Sequence, residues 1–399
     1  MNRLLAATVV LFLSITGCTK GAPVDAPKGP AGQAFEILAG GGKSASAERA
    51  VDLELSGTVR DLEVAPDGTA YLLMSDGATA RLERIRPDGT HATISLLNGR
   101  HIGTQLAVGP DGSVYVNLYW GEEKKDAIYR IRPDGSRQPV ITYNAGAVAP
   151  GNRSIGVFSA LTVDPQGRLV FAVDVSTRGT AGVLIRRLEA DGTVRTIAGR
   201  ATRFTDLGAA QEATPAAVHP PASGKALDWG TTAAMHVPEL AARPDGTIVL
   251  ATTDLTSGAS ARTILAVTPD GSLRELAEGT PDGLPVAPAP FTREGDVRKV
   301  GNLITGLSAS GDLLAVATMN GSGKPPAGGN YDWAGEHTAG QRAVLENLRG
   351  FEIRLVKPDG SVSTAAFGDR FALHGDQLYV VVRNLAGGSL LLGRIKIPA

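Results

Sequence analysis

The sequence predicts an all-β protein, a six-bladed β-propeller, on three observations. Pro-Asp-Gly recurs in pairs, each copy separates two aliphatic or β-branched runs, and the last unit lacks a strand that the N-terminal end can supply. The tripeptide stands at 66–68, 87–89, 110–112, 133–135, 244–246, 269–271 and 358–360. Degenerate copies fill the gaps: Pro165-Gln166-Gly167, Ala190-Asp191-Gly192, Ser310-Gly311-Asp312 and His374-Gly375-Asp376. Proline presets φ, aspartate bonds its own backbone and glycine takes the positive-φ position that closes a hairpin. Tandem antiparallel hairpins of even spacing make propeller blades.

Each blade reads as inner strand, turn, second strand, loop, third strand, turn, outer strand. Blade one runs from Val59 to Leu97. Blade two joins TQLAVGPDGSVYVNLY to AIYRIRPDGSRQPVITY, and blade three joins SALTVDPQGRLVFAVD to VLIRRLEADGTVRTIAG. Blade four joins PELAARPDGTIVLATTD to TILAVTPDGSLRELAEG. Blade five holds ITGLSASGDLLAVATMN, an insertion, and FEIRLVKPDGSVSTAAFG. The last blade, RFALHGDQLYVVVRN and SLLLGRIKIPA, stops one strand short. The segment from Ala34 to Gly40 echoes Val194–Gly199, the outer strand of blade three, so an N-terminal strand is expected to close the ring. That closure removes two exposed sheet edges.

Hairpin arithmetic assigns the faces. Every Pro-Asp-Gly turn falls on one face of the ring, expected to be short and inert. All other connections fall on the opposite face, including the irregular segments 120–126, 200–236, 280–300 and 321–348. Segments of this length usually carry function. All three tryptophans lie there, Trp120, Trp229 and Trp333, with Tyr119, Phe291 and Tyr331. Aromatic rings on irregular loops make a binding surface, or else pin their own loops to the ring. Residues 341–348 (QRAVLENL) read as a short amphipathic helix lying on this face.

Basic and acidic residues balance at a net charge of −1, which leaves no electrostatic footprint for nucleic acid. A single cysteine excludes a disulfide framework. Met1-Asn2-Arg3 is a short basic start, and Leu4 to Ile15 is an apolar run too short to span a bilayer. Ile15-Thr16-Gly17-Cys18 follows and resembles the lipobox of bacterial lipoproteins. That resemblance implies a signal peptide over 1–17, cleavage before Cys18, acylation (palmitate among the chains) and a membrane anchor on the extracytoplasmic side of the cell envelope. Residues 18–33 then form the lipidated Cys and a flexible tether rich in Pro, Gly and Ala, and 34–399 the propeller.

The repeat unit itself, an apolar strand with Pro-Asp-Gly, a second strand ending in Asp or Asn, a third strand with Pro-Asp-Gly and a closing "TIAG", resembles the NHL-type repeat. The likeness runs from Ala34 to Ala399. It implies the six-bladed architecture, and related six-bladed families include bacterial surface sensor domains, gluconolactonase-like metal-dependent hydrolases and amidating lyases. Fold does not choose among them. The leading expectation is a cell-envelope lipoprotein that binds a protein, peptide or glycan through its loop-rich face. Tyr119, Trp120, Trp229, Tyr331 and Trp333 supply contact area, and Arg60 and Arg370, on adjacent blades, supply polar anchoring for an anionic group. The alternative is a metal-dependent lactonase- or lyase-like enzyme at the channel mouth. Ions in such hydrolases sit on Glu, Asn and Asp, and His101, His236, Glu239 and Asn302 would approximate that site with a divalent metal such as Ca or Zn. The leading expectation needs no metal or cofactor.

Some patterns are set aside. Gly40-Gly41-Gly42-Lys43-Ser44 lacks the first glycine of a phosphate-binding loop. The second strands end in Asp76, Asn117, Asp174, Asp254, Asn320 and Asn384, read as caps of the following loops rather than as metal ligands. His91 and His374, beside turns or outer strands, are expected to be solvated.

Overall fold

The turns form as their residues dictate. In the first, the Gly68 N–H donates to the Ala65 carbonyl and the Ala65 N–H to the Thr69 carbonyl, each at 2.8 Å. Asp67 Oδ1 accepts the Thr69 N–H at 2.9 Å, and Gly68 has φ 83°. The same side-chain bond recurs from Thr90 to Asp88, Ser113 to Asp111, Ser136 to Asp134, Thr193 to Asp191, Thr247 to Asp245 and Ser272 to Asp270. Blade three has Gln166 where the aspartate belongs, and Asp164 replaces it. Its Oδ1 accepts the N–H groups of Gln166 (3.0 Å) and Arg168 (2.9 Å).

The computed structural model describes residues 35–319 and 351–397, except 45, 77–78, 99–100, 121–124, 133, 144–154, 178–179, 204–222, 232–234, 255–260, 277–292, 295–296, 299–302, 358–361 and 384–389. Six antiparallel sheets follow in chain order. Their inner strands are Thr58–Val64, His101–Val108, Ile155–Val163, Met235–Ala242, Leu303–Ser310 and Arg370–His374. Each inner strand touches its two neighbours, so the strands form a closed ring around a central channel.

The ring closes as expected. Phe35–Gly40 pairs antiparallel with Leu390–Lys396 and completes the sixth sheet. Arg394 grips Glu36 with two bonds of 2.7 and 2.8 Å across this pairing. A Cβ on Gly40 would fall 2.2 Å from the Leu390 carbonyl oxygen, so only glycine lets the closing strand lie this close.

The core lies between blades rather than within them. Leu62, Leu72, Tyr379 and Leu392 pack in the seam of blades six and one, and Leu82, Leu96, Leu106 and Val116 between one and two. Phe158 and Phe171 meet edge to face, with ring centroids 5.4 Å apart, between two and three. Further clusters fill the remaining three interfaces. Apolar burial therefore ties each sheet to the next, which is how a ring of thin sheets holds together.

One expectation about the faces needs correction. Two blade-to-blade connections do not stay on the loop-rich face. The segment after the closing strand runs down the outer edge of blade one, and the Ala50 N–H donates to the Gly89 carbonyl of a Pro-Asp-Gly turn at 2.9 Å. Likewise Ser223–Lys225 pairs with Ser272–Glu275 of blade four, and the Ala226 N–H donates to the Gly271 carbonyl at 2.8 Å. Each strap makes one 3-10 turn, Ala50–Asp52 or Ala226–Asp228, then buries a large residue, Leu53 (2% exposed) or Trp229 (0% exposed). The physical reason is edge protection. An outer strand presents unpaired N–H and C=O groups, and a strap covers them.

The strap on blade one also overturns the expectation for His91. Its Nε2 lies 2.8 Å from Glu83 Oε2, its Nδ1 3.3 Å from the Ala47 carbonyl, and its side chain is 5% exposed. It is covered because the strap folds over the outer strand that carries it. Among the described residues, no helix is long and apolar enough to cross a membrane. The residues 1–34, with Cys18, and the segment 341–348 lie outside the described residues.

Candidate functional site

Five of the six inner strands carry a β-bulge at one place. The register shifts between Val59 and Asp61, Gly103 and Gln105, Phe158 and Ala160, His236 and Glu239, and Ile304 and Gly306. A bulge re-aims the side chains around it. The first residue after each bulge occupies the same level of the channel: Asp61, Gln105, Ala160, Glu239 and Gly306. Blade six has no bulge in its ladder, and its inner strand starts at this level with Arg370.

Three of these residues reach sideways to the next blade. Asp61 Oδ2 accepts the Leu106 N–H of blade two at 2.7 Å, while Oδ1 accepts its neighbour Leu62 N–H at 2.9 Å. Gln105 donates from Nε2 to the Ser159 carbonyl of blade three. Arg370 donates from Nε to the Arg60 carbonyl of blade one at 2.6 Å and from Nη1 to the Asp369 carbonyl at 2.8 Å. Asn117, 1% exposed, adds a bond from Nδ2 to the Phe158 carbonyl at 3.2 Å. A belt of head-to-tail polar links thus supports the level where the charged groups sit.

The charges sense one another across the channel. Blades one and four oppose each other in a six-membered ring, yet Asp61 and Glu239 influence one another, and both feel Arg370. Glu63, two residues further along the inner strand of blade one, joins them. Burial pushes the Asp61 carboxyl above the usual carboxylate range, while Arg370 and the two backbone N–H bonds hold it back. Burial likewise pushes Glu63 up to about 8, with help from the Asp61 charge and opposition from the Val64 N–H. Glu239 is also raised well above the usual range, first by burial and then by the Asp61 and Glu63 charges, against the pull of Arg370. Buried carboxyls that sense one another do not all ionise cheaply, so the cluster as a whole is shifted toward holding protons relative to free carboxylates. Such a set can hold a cationic group, or give and take a proton.

The predicted site residues fall in different places. Arg60 and Arg370 do meet, but through backbone: Arg60 Nε donates to Ser75 Oγ at 2.9 Å, and Arg370 is taken up by carbonyls. Glu239 lies in the channel. His101 and His236 lie on inner strands, where backbone register sets His101 opposite Trp120 and His236 opposite Thr253. Tyr119 and Trp120 end the second strand of blade two, toward the loop-rich face. Trp229 is fully buried between blades three and four with Ile248, Leu265 and Leu273, so its ring pins the strap and offers no surface to a ligand. Asn302, Tyr331, Trp333, Phe291, Asn320 and Asn384 lie outside the described residues. Among the described residues, no three His, Cys, Asp or Glu side chains are grouped to hold a metal ion.

The second-strand polar residues divide. Asp76 caps its loop, accepting the Thr79 N–H at 2.8 Å. Asn117 and Asp174 instead sit inside their strands; Asn117 bonds toward the channel ring, and Ser159 Oγ lies 3.4 Å from Asp174 Oδ1. Sequence reading passed over Glu63. Its signal was present: an inner strand with carboxylates at two positions of one side, where blade four carries Glu239 followed by Ala241 and blade two carries Gln105 followed by Ala107.

No family model matches this chain, and no curated protein matches it. Solved structures share its fold. Virginiamycin B lyase from Staphylococcus aureus is 12% identical with a TM-score of 0.43, over 87% of this chain and 98% of that one. Regucalcin, a calcium-binding protein from Agrobacterium tumefaciens, is 13% identical with a TM-score of 0.43, over 92% and 96%. The β-propeller domain of the Trilobed protease from Pyrococcus furiosus is 6% identical with a TM-score of 0.41, over 86% and 97%. At these levels the likeness concerns chain course, not chemistry.

Proposed function

We propose that this chain is a lipid-anchored propeller of the cell envelope, tethered through Cys18, that captures a protein, peptide or glycan partner at the loop-rich end of its channel. The observation that carries this reading is the charge balance of the channel. Asp61 and Glu239 both feel the Arg370 guanidinium, which donates from Nε and from Nη1 to backbone carbonyls, and Glu63 adds a further carboxyl beside them. The polar anchor therefore suits a cationic or hydrogen-bond-donating group, such as a Lys or Arg side chain or an amino sugar, and not the anion expected from the arginines alone. Tyr119 and Trp120, with Tyr331 and Trp333, would supply contact area, without Trp229. A Cys18→Ser chain screened on peptide and glycan arrays tests the binding. Binders lost on Glu239→Gln with unchanged melting support the reading, and retention of every binder overturns it. Palmitate labelling in a bacterial host, lost on Cys18→Ser, tests the anchor.

A second reading is an acid–base enzyme at the same place, lactonase- or lyase-like. It is favoured by the proximity of carboxyls shifted toward holding protons, Glu63 at about 8. Elemental analysis after reconstitution with calcium or zinc decides its metal-dependent form. Stoichiometric metal supports that form, and persistent absence removes it.

A further inference from the structure

The face that carries the Pro-Asp-Gly turns holds a groove of about 340 Å³ between blades three and four. Its walls come from both blades and from the strap that crosses between them. Ile197, Ile248 and Val267 supply apolar lining, and Arg187, Arg195 and Lys225 bring three cations to the same groove. A volume of this size lies at the lower end of ordinary small-molecule sites.

Its charges are not balanced internally. Arg187 is committed to Glu189, with Nε at 2.9 Å and Nη2 at 2.7 Å from one carboxylate oxygen. Arg195 stands directly opposite Arg187 in the strand register, a like-charge pair that a sheet ordinarily avoids. Neither Arg195 nor Lys225 makes an ion pair among the described residues. The one carboxylate in the lining, Asp270, is turned into its own hairpin. It accepts Thr268 Oγ1 at 2.5 Å and the Ser272 N–H at 3.0 Å on one oxygen, and Ser272 Oγ at 3.2 Å on the other.

Apolar surface gathers at the same rim. Leu227 is 50% exposed and lines the groove, beside the partly buried Ile197. Leu227 is one of two exposed large hydrophobic residues among the described ones. The middle residue of the strap's 3-10 turn is this exposed leucine, and it shares the groove lining with two cations that make no ion pair among the described residues. An apolar rim and two cations without an ion pair among the described residues together define the ligand by its chemistry.

We propose that this groove binds a carboxylate that carries an apolar group, with Arg195 and Lys225 on the carboxylate and Leu227 and Ile197 on the apolar part. A small organic acid and the free C-terminus of a peptide ending in an apolar residue share that chemistry. The site lies on the face away from the channel cluster's loop-rich end and does not depend on the function proposed above.

Calorimetric titration of the purified full chain tests it with N-acetyl-leucine, N-acetyl-leucinamide and acetyl-Ala-Ala-Leu. N-acetyl-leucine is expected to bind saturably while the neutral amide does not. Arg195→Glu and Lys225→Gln are each expected to weaken binding on the order of tenfold or more. Both side chains are exposed, so melting temperatures should hold. Tighter binding of the tripeptide assigns the site to a peptide terminus, and equal binding assigns it to small acids. Equal affinity for acid and amide, no binding of any acid, or unchanged affinity in folded Arg195→Glu would each overturn the proposal.

Discussion

Arg370 Nε donates to the Arg60 carbonyl oxygen at 2.6 Å, across 310 positions of sequence, where blade six meets blade one. The bond joins the last inner strand to the first beside the seam that the N-terminal strand closes. The same guanidinium lowers the carboxyls of both Asp61 and Glu239 against their burial. Arg370→Met keeps the aliphatic stem and removes both roles. Loss of charge-assisted bonds of this kind costs about 1.5–3 kcal/mol. Urea unfolding should show a loss of that size, larger above neutral pH, where the carboxyls no longer share a nearby cation.

The raised carboxyls set the sign of a pH dependence. Glu63, at about 8 in the folded chain against 4.5 ordinarily, binds more protons folded than unfolded between these values. Its contribution is therefore intact at low pH and is lost as pH rises toward 8, and Asp61 and Glu239 act in the same sense. The turn carboxylates work oppositely. Asp88, Asp111, Asp134, Asp191, Asp245 and Asp270 are lowered, chiefly by hydrogen bonds, so their contribution is lost on acidification. Stability should peak in mildly acidic solution. Glu63→Gln should flatten the alkaline limb and stabilise the chain at pH 8 by on the order of 1–2 kcal/mol, given a partly exposed side chain. Thermal melts of both chains across pH check this.

His91 clamps the strap on blade one. Both ring nitrogens face acceptors, the Ala47 carbonyl and Glu83, whose other bonds come from Thr93 Oγ1 (2.6 Å) and Arg81 Nε (2.6 Å). His91→Ala should cost about 1–3 kcal/mol. It should also speed hydrogen exchange at the strap amides of Ala50 and Glu54, while blade four exchanges as before.

Gly40 and Gly89 separate conformational strain from contact. Their φ angles are nearly equal, 84° and 80°, but a Cβ on Gly40 meets the Leu390 oxygen and one on Gly89 meets nothing within 4 Å. Gly89→Ala should cost about 1 kcal/mol for the left-handed conformation alone. Gly40→Ala should cost several times more and expose the edge of Leu390–Lys396, which aggregation assays and denaturant melts will report.

Trp229→Ala tests whether this ring is structural. Removing a fully buried tryptophan should cost about 3–5 kcal/mol. Binding measured on the remaining folded fraction should be unchanged. Reduced affinity with unchanged stability would return the residue to the ligand surface.

The blades and their order were legible from residues adjacent in sequence, and the N-terminal closure from the repeat count, since the last unit lacked the strand that 34–40 echoes. A Pro-Asp-Gly turn is decided by the conformational preferences and self-bonding of three or four neighbours. Alternating apolar runs on either side need only a partner strand within a hairpin's reach. The exception, Gln166, shows the same rule, because the missing aspartate is replaced by Asp164 two residues away.

Sequence alone thus determined the ring and the end of each blade that carries a uniform turn. Tertiary structure decided where charge and apolar surface gather. Asp61, Glu239 and Arg370 converge only because six blades curve into a ring, and bulges at one level turn those positions together. His91 and Trp229 are buried only because straps fold back over outer edges, which also gives the Pro-Asp-Gly face a groove lined by cations. Such contacts join residues tens to hundreds of positions apart, so no local preference encodes them. They follow from the geometry of closure and from covering the strand edges it leaves open.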